Sequence, residues 1–161
     1  MDRVTYKKAV EGYANVVFRV AYSYCKNQSD AEDIMQNTFL KLLQGNYEFC
    51  DEEHLKKWLI RVAINEAKNV RVSFWKRKVV PISSCEEKGV SFDTLEQSML
   101  FEAVRELTEK YRVVIHLYYY EGYAIKEIAD ILGIKETTVQ TQLMRARGKL
   151  KERLGEAWKD E

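Results

Sequence analysis

Between Ala124 and Arg147 the residue types fall at offsets that leave a chain few ways to fold: a small Ala129, then Gly133, then Val139. A small residue lets two helices approach closely, glycine supplies a turn at positive φ, and a branched apolar residue wedges back from the second helix. The spacing predicts a helix-turn-helix. Ile125, Ile128 and Leu132 form the inner face of its first helix, and Val139, Leu143, Ala146, Leu150 and Leu154 form that of the second. The opposite face of the second helix is then free to enter a DNA groove. Arg145, Arg147, Lys149, Lys151 and Arg153 crowd its C-terminal part, where phosphates lie when the start of the helix is in a groove. A helical hairpin buried in a core, with these cations complementing the helix dipole, is the plainer alternative.

The rest of the chain is also helical in pattern. One proline, seven glycines and long 3.6-periodic segments, without strand-like alternation, predict an all-α protein. Tyr13, Val16, Val17, Val20, Ala21 and Tyr24 form one stripe. Ile34, Met35, Phe39, Leu42 and Leu43 form a second, with Ser29 or Asp30 as the expected cap, and Leu55, Trp58, Leu59, Val62, Ala63 and Ala67 form a third. Three such helices can share a core, so residues 1–78 are expected to fold as one small domain. Residues 79–93, with a proline, a glycine and three serines, read as a flexible linker. Residues 94–161 form the second domain: a helix marked by Leu95, Met99, Phe101, Val104 and Leu107, another from Tyr111 to Tyr120, and the terminal helix-turn-helix.

Net charge misleads about partners. Lys and Arg total 26 against 25 Asp and Glu, which lacks the strong positive field of an autonomous DNA binder. The charges are instead segregated. From Gln28 to Glu53 lie Asp30, Glu32, Asp33, Glu48, Asp51, Glu52 and Glu53 with a single base, Lys41. From His54 to Val80 lie Lys56, Lys57, Arg61, Lys68, Arg71, Lys76, Arg77 and Lys78 with a single acid, Glu66. Such blocks suggest one surface for a protein and another for nucleic acid. On the third helix Lys57, Arg61, Asn65, Lys68 and Asn69 recur at helical spacing and run into Arg71, Phe74, Trp75, Lys76, Arg77 and Lys78. Cations neutralise phosphate, Asn pairs with an adenine edge, and an aromatic ring stacks on an unpaired base for about 1–3 kcal/mol. A solvated helix face with Trp75 tucked onto its own domain is the alternative.

Other chemistries find little support. Cys25, Cys50 and Cys85 are widely spaced, with only His54 and His116 as imidazoles; neither a zinc site nor a disulfide framework is expected. Cys25 reads as a core residue and the other two as loop thiols. Asp30, Glu32, Asp33 and Gln36 diverge around a helix, so no metal is expected there, and they suit the positive end of that helix. No catalytic Ser/His/Asp set or phosphate-binding glycine loop is present, and His116 reads as a packed helix residue; no enzyme activity, cofactor or small-molecule substrate is expected. No segment approaches the roughly 18–20 apolar residues of a membrane span, and Met1 to Val4 does not lead into a signal-peptide core, so the expected location is cytoplasmic.

In order along the chain, Asp30 to Leu40, Trp58 to Asn65, and Leu107 to Arg112 continuing to Leu154 resemble bacterial RNA polymerase sigma factors of the extracytoplasmic-function group. The resemblance implies a dissociable initiation subunit with one domain at the −10 promoter element and the other at the −35 element. It implies that Asp30, Glu32, Asp33, Ile34, Gln36, Phe39 and Leu40 dock on the clamp helices of the polymerase largest subunit, with the flap of the second largest as a further contact. Tyr47, Phe49, Arg61, Asn65, Lys68, Asn69, Arg71, Trp75, Lys76, Arg77 and Lys78 would lie along the −10 region. Thr138, Gln140, Thr141, Gln142, Met144 and Arg145 would face the −35 groove, with Lys149 on phosphate. An anti-sigma partner, able to hold the chain at the membrane, is also implied. Gln140 and Gln142 stand where the family commonly has Lys or Arg, which would weaken phosphate attraction and favour adenine. Thr108 replaces a common proline and is expected to cap the following helix. The loop Asn46 to Glu53 carries four acids near the expected −10 base, so Tyr47, Phe49 or backbone groups are expected to do the recognition, with the carboxylates pointing away. The competing function is a free-standing helix-turn-helix regulator that binds operators without polymerase.

Overall fold

Two helical units make up the chain, one within residues 1–85 and the other within 86–161. The computed structural model describes the backbone of residues 3–77 and 95–155, with side chains from 3–70 and 99–155. The linker, Cys85 and Lys78 lie outside the described residues, as do the side chains of Arg71, Phe74, Trp75, Lys76 and Arg77.

The first unit packs α1 (Arg3–Cys25), α2 (Gln28–Gln44) and α3 (Glu52–Arg77) against one another pairwise. Ala9, Val17 and Ala21 of α1 meet Ala31, Ile34, Phe39 and Leu42 of α2 and Leu55, Leu59, Ala63 and Ala67 of α3 in one buried cluster. Five of these residues are alanines, small enough to let helices approach closely, and each buried Leu, Ile or Val contributes about 1.5–3 kcal/mol. The turn between α1 and α2 corrects an expectation. Neither Ser29 nor Asp30 caps α2; Asn27, extended at φ −136°, accepts from the Asp30 backbone N–H at 2.9 Å. Lys26 at φ 57° ends α1, so the connection closes within two residues and Ser29 and Asp30 already lie in the first turn. Cys25 is only half-buried against this core, and Cys50 is exposed.

In the second unit α4 (Leu95–Arg105), α5 (Glu109–Ile115) and α6 (Ile125–Leu132) each pack on α7 (Glu136–Leu154). The expected helix from Tyr111 to Tyr120 is not uniform. At His116 it widens into a π-helical turn running to Tyr120, closed by the Glu121 N–H on the His116 carbonyl at 3.0 Å. The wider turn brings the His116 Nε2 within 2.7 Å of the Glu121 carboxylate and stacks its ring on Tyr120. Thr108 holds the cap position of α5 but makes no side-chain cap bond; its backbone carbonyl accepts from Tyr111 and Arg112 instead. Arg112 is buried and donates to the Leu107 carbonyl.

The helix-turn-helix has the expected joint. Gly133 is left-handed at φ 68°, and the Ile134 N–H returns to the Ala129 carbonyl at 3.0 Å, which satisfies an orphan carbonyl at the end of α6. Val139 is fully buried, and Leu143, Ala146 and Leu150 continue its stripe. On α6 the inner face is Ile128, Ala129 and Ile131; Ile125 and Leu132 are only half-buried, so that stripe is rotated from the expected one. The Glu127 carboxylate accepts from the Ala124 N–H at 3.2 Å and fastens the start of α6.

Candidate nucleic-acid interface

On α2 burial divides the expected protein-binding residues into two kinds. Glu32, Asp33, Gln36 and Leu40 are exposed and Asp30 is partly so, while Ile34 is fully buried and Phe39 nearly so. Ile34 and Phe39 therefore belong to the core beneath that surface rather than to the surface itself. Leu43, expected to face inward with its apolar stripe, is instead 48% exposed, beside Leu40 at 47%. Leu42 and Leu43 are adjacent on a helix and cannot both face one core; Leu42 is the buried one. The outer face of α2 thus joins carboxylates to two apolar side chains. Burial, and then the neighbouring Asp33, hold the Asp30 carboxyl above its ordinary range.

On α3 Arg61, Asn65, Lys68 and Asn69 are all exposed, on the side away from Leu59, Ala63 and Ala67. The two exceptions to the charge segregation meet here: Lys41, the single base of the acidic block, forms an ion pair with Glu66, the single acid of the basic block. Each exception is neutralised by the other. The α2 face is left acidic and the α3 face basic.

The acidic loop before α3 is also accounted for. Asp51 Oδ1 accepts from the His54 N–H at 2.7 Å, and the His54 Nδ1 accepts from the Cys50 N–H at 3.1 Å, a reciprocal cap at the start of α3. Glu52 and Glu53 lie in the first turn, where the helix dipole favours them. Three of the four acids thus serve a helix terminus. Aromatic rings fill the rest: Tyr47 lies 4.6 Å from Trp58, Phe49 lies 5.7 Å from Trp58 and 5.3 Å edge-on from His54. Phe49 is half-buried against the core, whereas Tyr47 is 44% exposed.

On α7 Thr138, Gln140, Met144, Arg145 and Lys149 are exposed, opposite the buried stripe. Thr141 is half-buried and returns its hydroxyl to the Thr137 carbonyl at 2.9 Å. Gln140 and Gln142 do not share a face, as residues two apart on a helix point in different directions. The Gln142 Oε1 is buried, without a hydrogen-bond partner among the described residues. Arg147 is held to the unit by its Nε bond to the Tyr119 hydroxyl at 2.6 Å. Lys149 lies 5.9 Å from the Tyr111 ring.

Two helical units, a helix-turn-helix whose second helix has an exposed polar face, and a first unit with an acidic α2 face and a basic α3 face are the arrangement expected of a protein that joins DNA to another macromolecule. Residues 9–77 match the Sigma-70 region 2 family and residues 97–150 the Sigma-70, region 4 family. The chain is 33% identical over 135 residues to the RNA polymerase sigma factor SigV of Bacillus subtilis, covering 80% of this chain and 78% of that one. It is 27% identical over 158 residues to the ECF sigma factor SigM of the same organism, covering 92% and 94%. Its fold resembles that of the sigma factor RpoE of Bartonella quintana, solved with the anti-sigma factor NepR, at TM-score 0.75 and 24% identity over 93% of this chain and 96% of that one. The chain belongs to the bacterial RNA polymerase sigma factors, in the extracytoplasmic-function group. It is a transcription initiation factor that acts with core RNA polymerase at promoter DNA.

Proposed function

We propose that the work of this sigma factor is divided as its charges are. Residues 1–78 dock on the clamp helices of the polymerase largest subunit through Asp30, Glu32, Asp33, Gln36 and Leu40, with Leu43 added. The same domain engages the −10 element through Arg61, Asn65, Lys68, Asn69 and the loop carrying Tyr47. Residues 79–93 link it to residues 94–161, which face the −35 groove with Thr138, Gln140, Thr141, Met144 and Arg145 and set Lys149 on phosphate. The Lys41–Glu66 pair carries this reading, because it leaves the outer face of α2 acidic and the Arg61 to Asn69 face of α3 basic.

The apolar pair Leu40 and Leu43 supports a protein rather than a nucleic acid as the occupant of the α2 face. Met144, 63% exposed at the centre of the α7 face, suits contact with a thymine methyl. Among the described residues no helix is long and apolar enough to cross a membrane. A cytoplasmic location follows from a polymerase partner, with an anti-sigma factor as the partner that withholds the chain from polymerase, as the complex formed by the Bartonella protein suggests. No chemistry of its own is assigned to the chain.

The experiment is co-elution of the purified chain with sigma-free core polymerase, with Asp33→Arg and Leu40→Ala alongside. Stoichiometric binding that both variants weaken is expected. Binding that neither variant weakens would overturn the docking role given to the α2 face.

A further inference from the structure

Five cations crowd the second half of α7, and they are not equivalent. Arg153 pairs with Glu106, whereas Arg147 has no carboxylate partner among the described residues. Aromatic groups hold Arg147 instead. Its Nε donates to the Tyr119 hydroxyl at 2.6 Å, and its guanidinium carbon stands 5.5 Å from the centres of both the Tyr118 and Tyr119 rings, which meet edge to face at 4.9 Å. Among the described residues no other hydrogen bond engages this guanidinium, so the N–H groups on Nη1 and Nη2 keep their capacity to donate. Arg147 is half-buried and Tyr119 is 52% exposed, so the cluster reaches the surface. Arg147 follows Gln140 by two helical turns and therefore continues the exposed face of Gln140 and Met144 about 10 Å farther along α7.

We propose that Arg147 and Tyr119 form a phosphate grip on the −35 duplex, in which Arg147 presents Nη1 and Nη2 to one backbone phosphate beside the groove and Tyr119 is the positioning residue that fixes the guanidinium for it. The proposal rests on the −35 role given to α7 above and adds to it a contact built from two helices. A guanidinium binds phosphate best through two parallel N–H groups, so the orientation of its plane matters. With Nε taken by Tyr119, the edge carrying Nη1 and Nη2 is the one left for such a contact. An arginine that swings freely gives up rotamer freedom on binding; the Nε bond and the two rings remove that freedom beforehand. Tyr119 belongs to the π-helical turn that the His116–Glu121 contact secures, so the grip also ties this turn to the recognition helix. A phosphate contact carries no sequence information; it sets the register and angle at which Gln140 and Met144 meet the bases. A carboxylate of a protein partner offers similar chemistry, but the position of Arg147 on the groove-facing stripe favours phosphate.

The test uses the full chain reconstituted with core polymerase and a promoter duplex recovered from a randomised pool by the wild-type holoenzyme, with binding read well below the melting temperature of each variant. Arg147→Ala is expected to weaken binding about tenfold, by the same factor on duplexes with changed −35 bases, and to lower the slope of log affinity against log salt by about one. Ethylation of one −35 phosphate is expected to impair the wild-type protein and to have no further effect on Arg147→Ala. Tyr119→Phe keeps the ring and removes the acceptor; it is expected to weaken binding about threefold alone and not at all in the Arg147→Ala background. Core-polymerase binding is expected to be unchanged in every variant. If Tyr119→Phe weakens the Arg147→Ala protein as much as the wild type, the positioning role is overturned. An Arg147→Ala protein that loses core-polymerase binding, or that loses DNA affinity with the wild-type ethylation pattern intact, overturns the phosphate contact. If Arg147→Ala is without effect while Arg145→Ala weakens binding, the grip is overturned and the −35 role of α7 stands; if neither has an effect, both fall.

Discussion

Ile34→Ala and Leu40→Ala separate core from surface on the same helix, and their effects should be opposite in kind. Ile34 has no exposed surface and packs among Val17, Ala21, Leu42 and Leu59, while Leu40 is 47% exposed. Truncating a fully buried Ile to Ala removes transfer free energy and leaves a cavity, at about 2–5 kcal/mol. A helical domain of this size has a total stability of about 4–11 kcal/mol. Taking about 3 kcal/mol and 4–8 °C per kcal/mol, the first unit of Ile34→Ala should melt about 12–24 °C earlier. Leu40→Ala makes no cavity and should change stability by no more than about 0.5 kcal/mol. At the centre of a protein interface, however, an apolar truncation costs more than about 1 kcal/mol, close to tenfold in affinity. Calorimetric melting of the free chain, paired with titration of core polymerase well below the melting temperature, reads both quantities. Earlier melting for Ile34→Ala with retained affinity, and unchanged melting for Leu40→Ala with lost affinity, are the expected results. An Ile34→Ala protein that melts normally yet fails to bind polymerase would refute the assignment of Ile34 to the core.

Three further outcomes follow from local geometry. Because the Asp30 carboxyl is held above its ordinary range, its charged form costs stability at any pH above the folded pKa and nothing well below the unfolded one. Asp30→Asn should therefore raise the melting temperature slightly at neutral pH, and the gain should vanish near pH 3 in a melting series. Gly133→Ala forces a Cβ into a left-handed cap at φ 68° and should destabilise the second unit by about 1 kcal/mol or more, while Gly148→Ala, in the interior of α7 with open space at its Cα, should stabilise it slightly; denaturant titration checks both. Gln140→Ala should change base preference at the −35 element by about 1–3 kcal/mol, whereas Gln142→Ala should leave it within about twofold, read by competition among promoter duplexes with single-base changes; equal effects would contradict the divergence of the two side chains.

Elements with a long, regular period are legible in the residues themselves: the helical stripes, the glycine joint at Gly133 and the charge blocks all follow from local residue types. The site residues are legible as segments rather than as side chains. Ile34 and Phe39 fall inside the acidic segment, and only packing against α1 and α3 reveals that they face inward. Leu43 reads as an inward residue because hydrophobicity alone cannot tell which of two adjacent leucines meets the neighbouring helix. Asn27 does not stand out as a cap because Ser29 and Asp30 offer the same chemistry two and three residues later.

What the sequence determined by itself was whatever depends on neighbours along the chain: helix periodicity, the positive-φ turn between α6 and α7, and the segregation of charge into blocks. Tertiary structure alone decided which residues at the edges of those stripes, such as Leu43, are surface, and how Lys41 and Glu66 cancel. It also decided that Tyr47 meets Trp58, and that the Tyr111 to Tyr120 helix widens where His116 meets Glu121. The physical reason is range. Propensity and periodicity act over a helical turn, whereas burial, ion pairing between helices and the seating of a ring depend on groups that only the folded chain brings together.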